Sequence, residues 1–336
     1  MYLANGYLDF NWITRQGCTF NILVGGRGIG KTYGCLKYVS EALTPYLLLR
    51  RTQSQTDIIA NADFHPLKKV YQDSGKTFEI LKIPKTNATK VIDEQGKLIC
   101  YNMALSTFAN VRGYSSDEIT CIVYDEFIPS TTERPIKDEG HALLHCYETI
   151  NRNRELNGNP PVKVFLLANA FDFTSSTLRV LCLSETIEKM IRKKKEYQIV
   201  KRGTEKIFIA LPHSPITEEK SKTALYQISD ASFKRLALDN RSGADLSQIQ
   251  YRPLTEYRQI ISTSDFDLYL HKGRSELYCT THKNRVRENY ENTQRGRLTF
   301  YNNHRDYIYM YMQNRIFFQN ALCEKLLLMW LTKKLE

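Results

Sequence analysis

Residues 25–32 place glycines, a lysine and a threonine at a spacing that suits phosphate binding. The segment reads GGRGIGKT and fits the pattern G-x-x-x-x-G-K-[ST] without a gap. Glycine lets successive backbone N–H groups turn toward phosphate oxygens in conformations that a Cβ atom resists. Lys31 is expected to bridge the β- and γ-phosphates, and the Thr32 hydroxyl is expected to ligate Mg²⁺. The sequence therefore predicts a nucleotide-binding P-loop formed by Gly25, Gly26, Arg27, Gly28, Ile29, Gly30, Lys31 and Thr32.

Two adjacent carboxylates, Asp125 and Glu126, follow the apolar run of residues 121–124. At the end of a strand beside the P-loop, Asp125 would hold Mg²⁺ through water and Glu126 would polarise the attacking water. This pair favours an ATPase that hydrolyses over a kinase that transfers phosphate to a substrate. The guanine-recognition motif N-K-x-D does not occur in the sequence, so a GTPase is not indicated.

Two arginines, Arg152 and Arg154, end the helical pattern of residues 140–156. Arginine near a helix C-terminus is explained by the helix macrodipole. It is also explained by an arginine finger that reaches the nucleotide of a neighbouring subunit. Arg112 and Arg27 are further candidates for that role, and position alone does not decide between them.

Short apolar runs alternate with helical patterns through the first half of the chain. The strand-like runs are residues 18–24, 46–51, 121–124 and 162–170. This alternation predicts a parallel α/β sheet with the nucleotide site at its carboxyl edge, and residues 78–103 predict an added hairpin. Asn169 ends the last of these strands. It either senses the γ-phosphate and orients the water, or it is a strand-terminal turn residue.

Four segments taken together resemble one family: NILVGGRGIGKTY, CIVYDEF, NRNRE and LLANA. In this order and spacing they resemble the double-stranded DNA packaging ATPases of small protein-primed podophages, the phi29-like motors, which are distant relatives of large terminases. The resemblance covers most of residues 15–175 and continues weakly through residues 236–240. One departure is Gln53, where the family pattern can place a lysine after the arginine pair of the second strand.

The resemblance implies a P-loop NTPase of the additional-strand, conserved-glutamate division that uses ATP and Mg²⁺. It implies a homo-oligomeric ring, a pentamer by family analogy, assembled on the portal of a viral procapsid. Asp125 and Glu126 would be the metal-holding and catalytic acids. Arg152 would be the trans-acting finger, and Asn169 would be the strand-end coupling residue. The resemblance also suggests a structural RNA as a further partner.

The net charge of +11 is unevenly distributed, because residues 1–185 carry +1 and residues 186–336 carry +10. Such a basic half is either a solvated surface or a contact for a polyanion, usually nucleic acid. A packaging motor must accept any sequence, so we expect contacts with double-stranded DNA to be mostly to phosphate and to weaken with salt. The loops near residues 52–63 and 112–116 are the candidate DNA contacts.

The pattern divides the chain into a P-loop ATPase domain (1–190), a basic linker region (191–244) and an α+β C-terminal domain (245–336). In large terminases the C-terminal domain is a ribonuclease-H-like nuclease, which needs clustered carboxylates for two metal ions. Asp265 and Asp267 are the close pair here, and they lie in an expected turn. We therefore expect a vestigial, non-cleaving domain that binds the portal or nucleic acid.

Three other functions remain open: a terminase-like translocase that also cleaves DNA, a plasmid or secretion-type ring ATPase, and a non-hydrolysing nucleotide switch. The eight cysteines include no CxxC pair, and no run approaches eighteen apolar residues. We therefore expect buried, reduced thiols and no membrane partner. The expected location is the host cytoplasm, with transient attachment to the viral procapsid.

Overall fold

The computed structural model describes residues 1–43, 45–111, 118–129, 133, 136–169, 172, 175–229, 248–281 and 289–332. Two compact units are distinguished along the chain. Met1–Leu181 with Met190–Gly243 forms the first unit, and Cys182–Lys189 with Ala244–Glu336 forms the second. Each unit is built on its own β-sheet.

The sheet of the first unit is predominantly parallel. Its strands are β1 (Phe20–Val24), β2 (Tyr46–Arg50), β3 (Phe78–Lys82), β4 (Thr89–Asp93), β5 (Leu98–Ala104), β6 (Cys121–Asp125), β7 (Lys163–Ala168), β8 (Tyr197–Arg202) and β9 (Glu205–Ala210). Their order in the sheet is β3-β4-β5-β2-β6-β7-β1-β9-β8. The strands from β5 to β9 in that order run parallel, whereas β3, β4 and β8 are antiparallel additions at the two ends. The predicted parallel α/β sheet with an added hairpin is confirmed.

The central strands consist mostly of apolar residues because both of their faces are covered. In β1, Ile22, Leu23 and Val24 have no exposed surface, and the same holds for residues 47–49 of β2. Cys35, Leu36 and Val39 of the helix that follows β1 belong to the same buried cluster as Leu23. The P-loop is therefore fixed at both ends, by a buried strand before it and a packed helix after it.

The helices of the described residues are short. They are α1 (Phe10–Thr14), α2 (Lys31–Ala42), α3 (Gln53–Ile59), α4 (Leu67–Asp73), α5 (Glu139–Asn151), α6 (Ser176–Val180), α7 (Ser184–Arg192), α8 (Ile216–Ser221), α9 (Ala224–Ile228), α10 (Gln294–His304), α11 (Tyr307–Met312) and α12 (Ala321–Leu331), with 3₁₀ helices at Leu105–Val111 and Leu254–Glu256. No helix of the described residues is long and apolar enough to cross a membrane.

His65 is a buried histidine just before α4, with 2% of its surface exposed. Its Nδ1 accepts a hydrogen bond from the Leu67 amide at 3.1 Å, so its Nε2 carries the proton and donates to Asn102 Oδ1 at 3.2 Å. Burial lowers the pKa of His65 to about 4. The imidazole is therefore held neutral in the folded protein.

We expect the protein to lose stability as the pH falls from 6.5 toward 4, the window between the unfolded and folded pKa of His65. In this window the unfolded chain binds a proton that the folded chain does not, which removes about 3 kcal/mol of unfolding free energy by the lower limit. Urea denaturation across this range measures the effect. The His65→Gln variant should lose this part of the acid sensitivity, and an unchanged pH slope in that variant would contradict the assignment.

The prediction of a linker over residues 191–244 is wrong for residues 197–210. These residues form the hairpin of β8 and β9, and β9 pairs in parallel with β1. Residues 207–210 are almost completely buried. The basic residues Lys201, Arg202 and Lys206 surround the exposed turn of this hairpin, and their charge concealed the strands in the sequence pattern.

The second unit contains a smaller mixed sheet. Its strands are β10 (Tyr257–Thr263), β11 (Asp267–His271), β12 (Leu277–Thr280), β13 (Asn289–Tyr290) and β14 (Ile316–Phe318), in the order β13-β10-β11-β12-β14. The strands β10, β11 and β12 form the antiparallel meander that the sequence predicts. Phe266, Phe300 and Trp330 pack edge to face, with ring centroids 5.3 to 5.9 Å apart. This aromatic core joins the meander to α10 and α12.

Seven of the eight cysteines are buried and none forms a disulfide. The exception to the predicted buried thiols is Cys182, which is exposed.

Candidate nucleotide-binding site

The P-loop joins β1 to α2 through a turn that requires glycine at two positions. Gly28 has a φ of +75° and Gly30 a φ of +83°, both in the left-handed region. Gly30 is also the N-cap of α2, so the helix begins at Lys31 directly after the turn. The first backbone N–H groups of α2 have no partner within the helix, and an anion at this end is stabilised by them.

Lys31 is folded back into the loop. It is 5% exposed, and its Nζ donates to the carbonyl oxygens of Gly25 at 2.6 Å and Gly26 at 2.7 Å. Burial lowers the pKa of Lys31 to about 8. The loop thus holds a buried cation on its own carbonyl groups.

Thr32 and Asp125 meet at the start of α2. Thr32 Oγ1 donates to Asp125 Oδ1 at 3.1 Å, and Oδ2 lies at 3.2 Å. Asp125 is the last residue of β6 and is 3% exposed. A hydroxyl and a carboxylate supply the oxygen donors that Mg²⁺ prefers, so the residues present fit this ion.

Glu126 adopts a backbone conformation that is uncommon for a residue with a side chain. Its φ is +57°, and its amide donates to Asp125 Oδ1 at 3.1 Å. A left-handed conformation costs about 1–2 kcal/mol for such a residue. The turn after β6 directs the Glu126 side chain, which is 45% exposed, to the same place as Asp125, where one arginine contacts both.

That arginine is Arg50, the last residue of β2, which sequence reasoning did not identify as a site residue. Its Nη2 lies 3.1 Å from Asp125 Oδ2, and its Nη1 lies 3.0 Å from Glu126 Oε2. β2 pairs with β6 in parallel, so their carboxyl ends lie side by side. The available signal was an arginine at the end of a predicted core strand.

The next residue, Arg51, has no exposed surface and makes a buried ion pair. Its Nε and Nη2 donate to the two oxygens of Glu139 at 2.9 and 3.0 Å, and its Nη1 donates to Glu133 at 2.9 Å. The Tyr124 hydroxyl also donates to Glu139. This network joins the ends of β2 and β6 to the first turn of α5.

We expect Arg51→Ala to lower the free energy of unfolding by about 3–5 kcal/mol, because it leaves the Glu139 carboxylate buried without its partner. Urea denaturation of the two proteins measures the loss. The exposed pair Lys69–Asp73, 2.7 Å apart, provides the matched comparison. Lys69→Ala should cost no more than about 1 kcal/mol. Equal effects of the two substitutions would show that the Arg51 network does not stabilise the fold.

Asn169 follows β7, which lies between β6 and β1. The Gly25 amide donates to the Ala168 carbonyl at 3.1 Å, so the end of β7 lies beside the start of the P-loop. Asn169 is half-buried at this edge of the sheet. The structure therefore brings residues 25–32, Asp125, Glu126 and Asn169 to one edge of the sheet.

Arg152 lies at the other end of its unit's sheet. α5 connects the parallel strands β6 and β7, so it runs back to the edge where the strands begin. Asn151 Oδ1 accepts a hydrogen bond at 2.9 Å from the amide of Val162, just before β7. Arg152 is exposed there, with a φ of +37° and its Nε donating to the Thr149 carbonyl at 3.0 Å. Arg154 Nε donates to the Pro160 carbonyl at 3.3 Å.

Two other arginine candidates have different outcomes. Arg112 lies outside the described residues, as do all of residues 112–117. Arg27 is exposed at the tip of the P-loop, and its carbonyl oxygen accepts a hydrogen bond at 2.7 Å from Nζ of Lys220. Lys220 therefore contacts the P-loop and is, after Arg50, a second residue of the site that sequence reasoning missed.

Asp265 and Asp267 are each bound by a neighbouring donor. Trp330 Nε1 donates to Asp265 Oδ2 at 3.2 Å, and Ser262 Oγ donates to Asp267 Oδ1 at 2.7 Å. Asp267 is completely buried as the first residue of β11, so the prediction that it lies in a turn is wrong. Among the described residues, no group of three or more His, Cys, Asp or Glu side chains is arranged to hold a metal ion.

The order of the strands defines the class of protein. β7 separates the P-loop strand β1 from the acidic strand β6, which is the arrangement of the additional-strand, conserved-glutamate division of P-loop NTPases. Within this class the chain belongs to the podovirus DNA encapsidation protein (Gp16) family, whose sequence profile matches residues 6–252.

Individual relatives share about a quarter of their aligned residues with this chain. The DNA packaging protein of Bacillus phage B103 is 26% identical over 227 residues, and that of Bacillus phage phi29 is 24% identical over 228. Each alignment covers 66% of this chain, and they span 63% and 61% of the two relatives' own lengths.

Two solved structures share the fold. The bacteriophage Phi-29 viral genome packaging motor assembly matches with a TM-score of 0.64 and 18% identity over 96% of this chain and 98% of its own. The Phi-28 gp11 DNA packaging motor matches with a TM-score of 0.60 and 16% identity over 99% of both chains.

Proposed function

We propose that this protein is an ATPase that drives double-stranded DNA into a viral procapsid. The observation that carries the proposal is that the P-loop, through Thr32, meets Asp125 and Glu126 at one edge of the sheet. Membership of the DNA encapsidation family supports DNA as the cargo. The named activity of the relatives, DNA packaging, points the same way.

ATP is the proposed substrate, and Mg²⁺ is the proposed cofactor. Thr32 and Asp125 would hold the ion, which when bound neutralises charge on the phosphates. The loop amides and the N-terminus of α2 would bind the phosphate oxygens. Lys31 already lies inside the loop, so its Nζ would exchange the carbonyl oxygens of Gly25 and Gly26 for the β- and γ-phosphates.

Glu126 is the proposed general base, and Arg50 controls its availability. In the present arrangement Arg50 occupies one carboxylate oxygen of Glu126. Glu126 can polarise a water molecule only when one of its two carboxylate oxygens faces the terminal phosphate. Asn169, which directly follows the strand between the two motifs, would orient that water.

Arg152 is proposed to complete the site of a neighbouring subunit. It lies at the edge of the sheet opposite its own P-loop, which argues against a role within its own chain. A homomeric ring, five subunits by analogy with the family, would bring this edge of one subunit to the nucleotide of the next. We place the ring on the viral portal and procapsid in the host cytoplasm, with a structural RNA as a further partner.

Contact with DNA is proposed to be made mainly to phosphate. The segment of residues 52–63 remains the candidate DNA contact within the described part of the chain. The other predicted loop, residues 112–116, lies outside the described residues. Because phosphate contacts release counterions, DNA-stimulated activity should fall steeply with salt concentration.

The second unit is proposed to be a vestigial nuclease that does not cut. The Trp330 indole donates a hydrogen bond to Asp265, and the Ser262 hydroxyl donates one to the buried Asp267. These contacts argue against two exposed metal-binding carboxylates. The alternative is a terminase-like enzyme that also cleaves. Metal-dependent DNA cleavage that is lost in Asp265→Ala would favour that alternative.

ATP turnover by the purified protein, with and without linear double-stranded DNA and over a range of protein concentrations, tests the proposal. Turnover that rises with DNA, and faster than linearly with protein, is expected from a ring whose subunits complete each other's sites. Turnover stimulated by a secretion substrate rather than DNA would favour the secretion-type ATPase. ATP binding without any turnover, also with procapsid present, would favour a nucleotide switch.

A further inference from the structure

The segment after β9 lies beside the P-loop because of how β9 pairs. β9 runs parallel to β1, from the pair Phe20–Ile207 to the pair Leu23–Ala210. The chain therefore leaves both strands at the same edge of the sheet. Pro212 then packs so closely on Gly25 that its Cγ would lie 2.7 Å from a Cβ atom there.

Further contacts keep this segment in place up to α8. Ser214 is completely buried, and its Oγ donates to the Gly6 carbonyl at 2.6 Å. Ile216, the first residue of α8, packs against Gly6. α8 is thereby held near the loop by contacts that do not involve its charged side chains.

Lys220 of α8 reaches the tip of the P-loop. Its Nζ donates to the Arg27 carbonyl at 2.7 Å. The same Nζ lies 1.9 Å from the position that a Cβ atom on Gly28 would occupy. Gly28 thus serves both the left-handed turn and the entry of this ammonium group. Arg27 and Gly28 are exposed, so Lys220 contacts the loop on its solvent-facing side. Lys31, by contrast, is buried inside the loop.

Three basic side chains, those of Arg27, Lys31 and Lys220, belong to the loop and the segment beside it. Nζ of Lys31 rests on the carbonyl oxygens of Gly25 and Gly26, and Nζ of Lys220 rests on that of Arg27. Burial lowers the pKa of Lys220. A carbonyl oxygen is a weak partner for an ammonium group compared with a phosphate oxygen. These cations therefore favour a polyanion at the tip of the loop.

We propose that Lys220 is a second phosphate-binding lysine of the nucleotide site, which exchanges the Arg27 carbonyl for an oxygen of the terminal phosphate of a bound nucleoside triphosphate. This inference rests on the proposed function. The terminal phosphate is the group concerned, because the inner phosphates are enclosed by the loop and Lys31 whereas Lys220 approaches from the exposed side. Occupancy of the site would then tie α8, and α9 after it, to the γ-phosphate.

Binding of fluorescent ATP and ADP analogues to the full-length protein in Mg²⁺ tests this role. Lys220→Ala should weaken ATP binding about 10- to 100-fold, the effect of one charged hydrogen bond, and leave ADP binding nearly unchanged. Lys220→Arg should recover part of the ATP affinity. Lys222→Ala removes an exposed charge two residues away and should bind both nucleotides as the parent does.

Equal weakening of ATP and ADP binding by Lys220→Ala would mean that the lysine only supports the loop, and it would overturn the proposal. Unchanged ATP binding would overturn it as well. Lys31→Ala separates this failure from that of the proposed function, because a site that still binds ATP normally without Lys31 is not a P-loop site. As a second measurement, ATP but not ADP should slow amide hydrogen exchange in residues 216–228, and the Lys220→Ala variant should lose this difference.

Discussion

The Glu126→Gln variant is expected to hydrolyse ATP about 10²–10⁴-fold more slowly than the parent protein while it still binds ATP. Glutamine keeps the size of the side chain and its contact distance to Arg50, but it cannot accept a proton from water. The P-loop, Thr32 and Asp125 are untouched by the change. Phosphate release in the steady state measures turnover, and a fluorescent ATP analogue measures binding.

Glu79→Gln is the matched control, since Glu79 is an exposed residue of β3 in the same unit. It should leave both turnover and binding unchanged. Turnover by Glu126→Gln at the parent rate would remove Glu126 from the chemistry and would move the search for the base to other residues at this edge of the sheet.

The Arg152→Ala variant is expected to lose about 10³–10⁵-fold in turnover within the assembled ring, the range found for arginine fingers. Its own P-loop remains intact, so ATP binding to the isolated chain should not change. The exposed Arg15, which lies just before β1 at the same edge of the sheet, provides a control in Arg15→Ala. Arg154→Ala decides which arginine of the loop is the finger, since the finger is the one whose removal abolishes turnover.

Mixing two inactive proteins separates a finger that acts between subunits from one that acts within a chain. In a mixture of Arg152→Ala with Lys31→Ala, some interfaces combine the intact P-loop of the first with the intact Arg152 of the second. These interfaces should restore a measurable part of the turnover. A mixture that stays as inactive as its components, under conditions where mixed rings form, would contradict the trans arrangement.

The parts of the site that the sequence predicted are those written in contiguous residues. The glycines of the P-loop fix backbone conformations locally, and the pair Asp125–Glu126 follows directly from the end of an apolar strand. For these residues, the local sequence was therefore enough to predict their place in the site. The edge of the sheet at which they meet followed from the parallel order of the strands.

The residues that the sequence could not assign act over long separations. Arg50 contacts an acid 76 positions away, and Lys220 contacts a loop 193 positions away. Each depends on which strands are neighbours in the sheet, and β9 itself was concealed in a basic segment that the sequence presented as a linker. Arg152 is a different case, because its proposed partner belongs to another chain.

The Arg51 network has a mechanical consequence for the proposed ring. Arg51, the neighbour of Arg50 in the chain, forms an ion pair with Glu139 in the first turn of α5. Arg152 is the C-cap of the same helix. A helix of 13 residues is a rod about 20 Å long. Arg50, the last residue of β2, contacts Asp125 and Glu126, and the next residue, Arg51, contacts Glu139 of α5. A shift of the two acids when nucleotide binds would therefore tilt α5 and displace Arg152 in the proposed neighbouring site. In the proposed ring, α5 would then carry a change at one nucleotide to the arginine that serves the next.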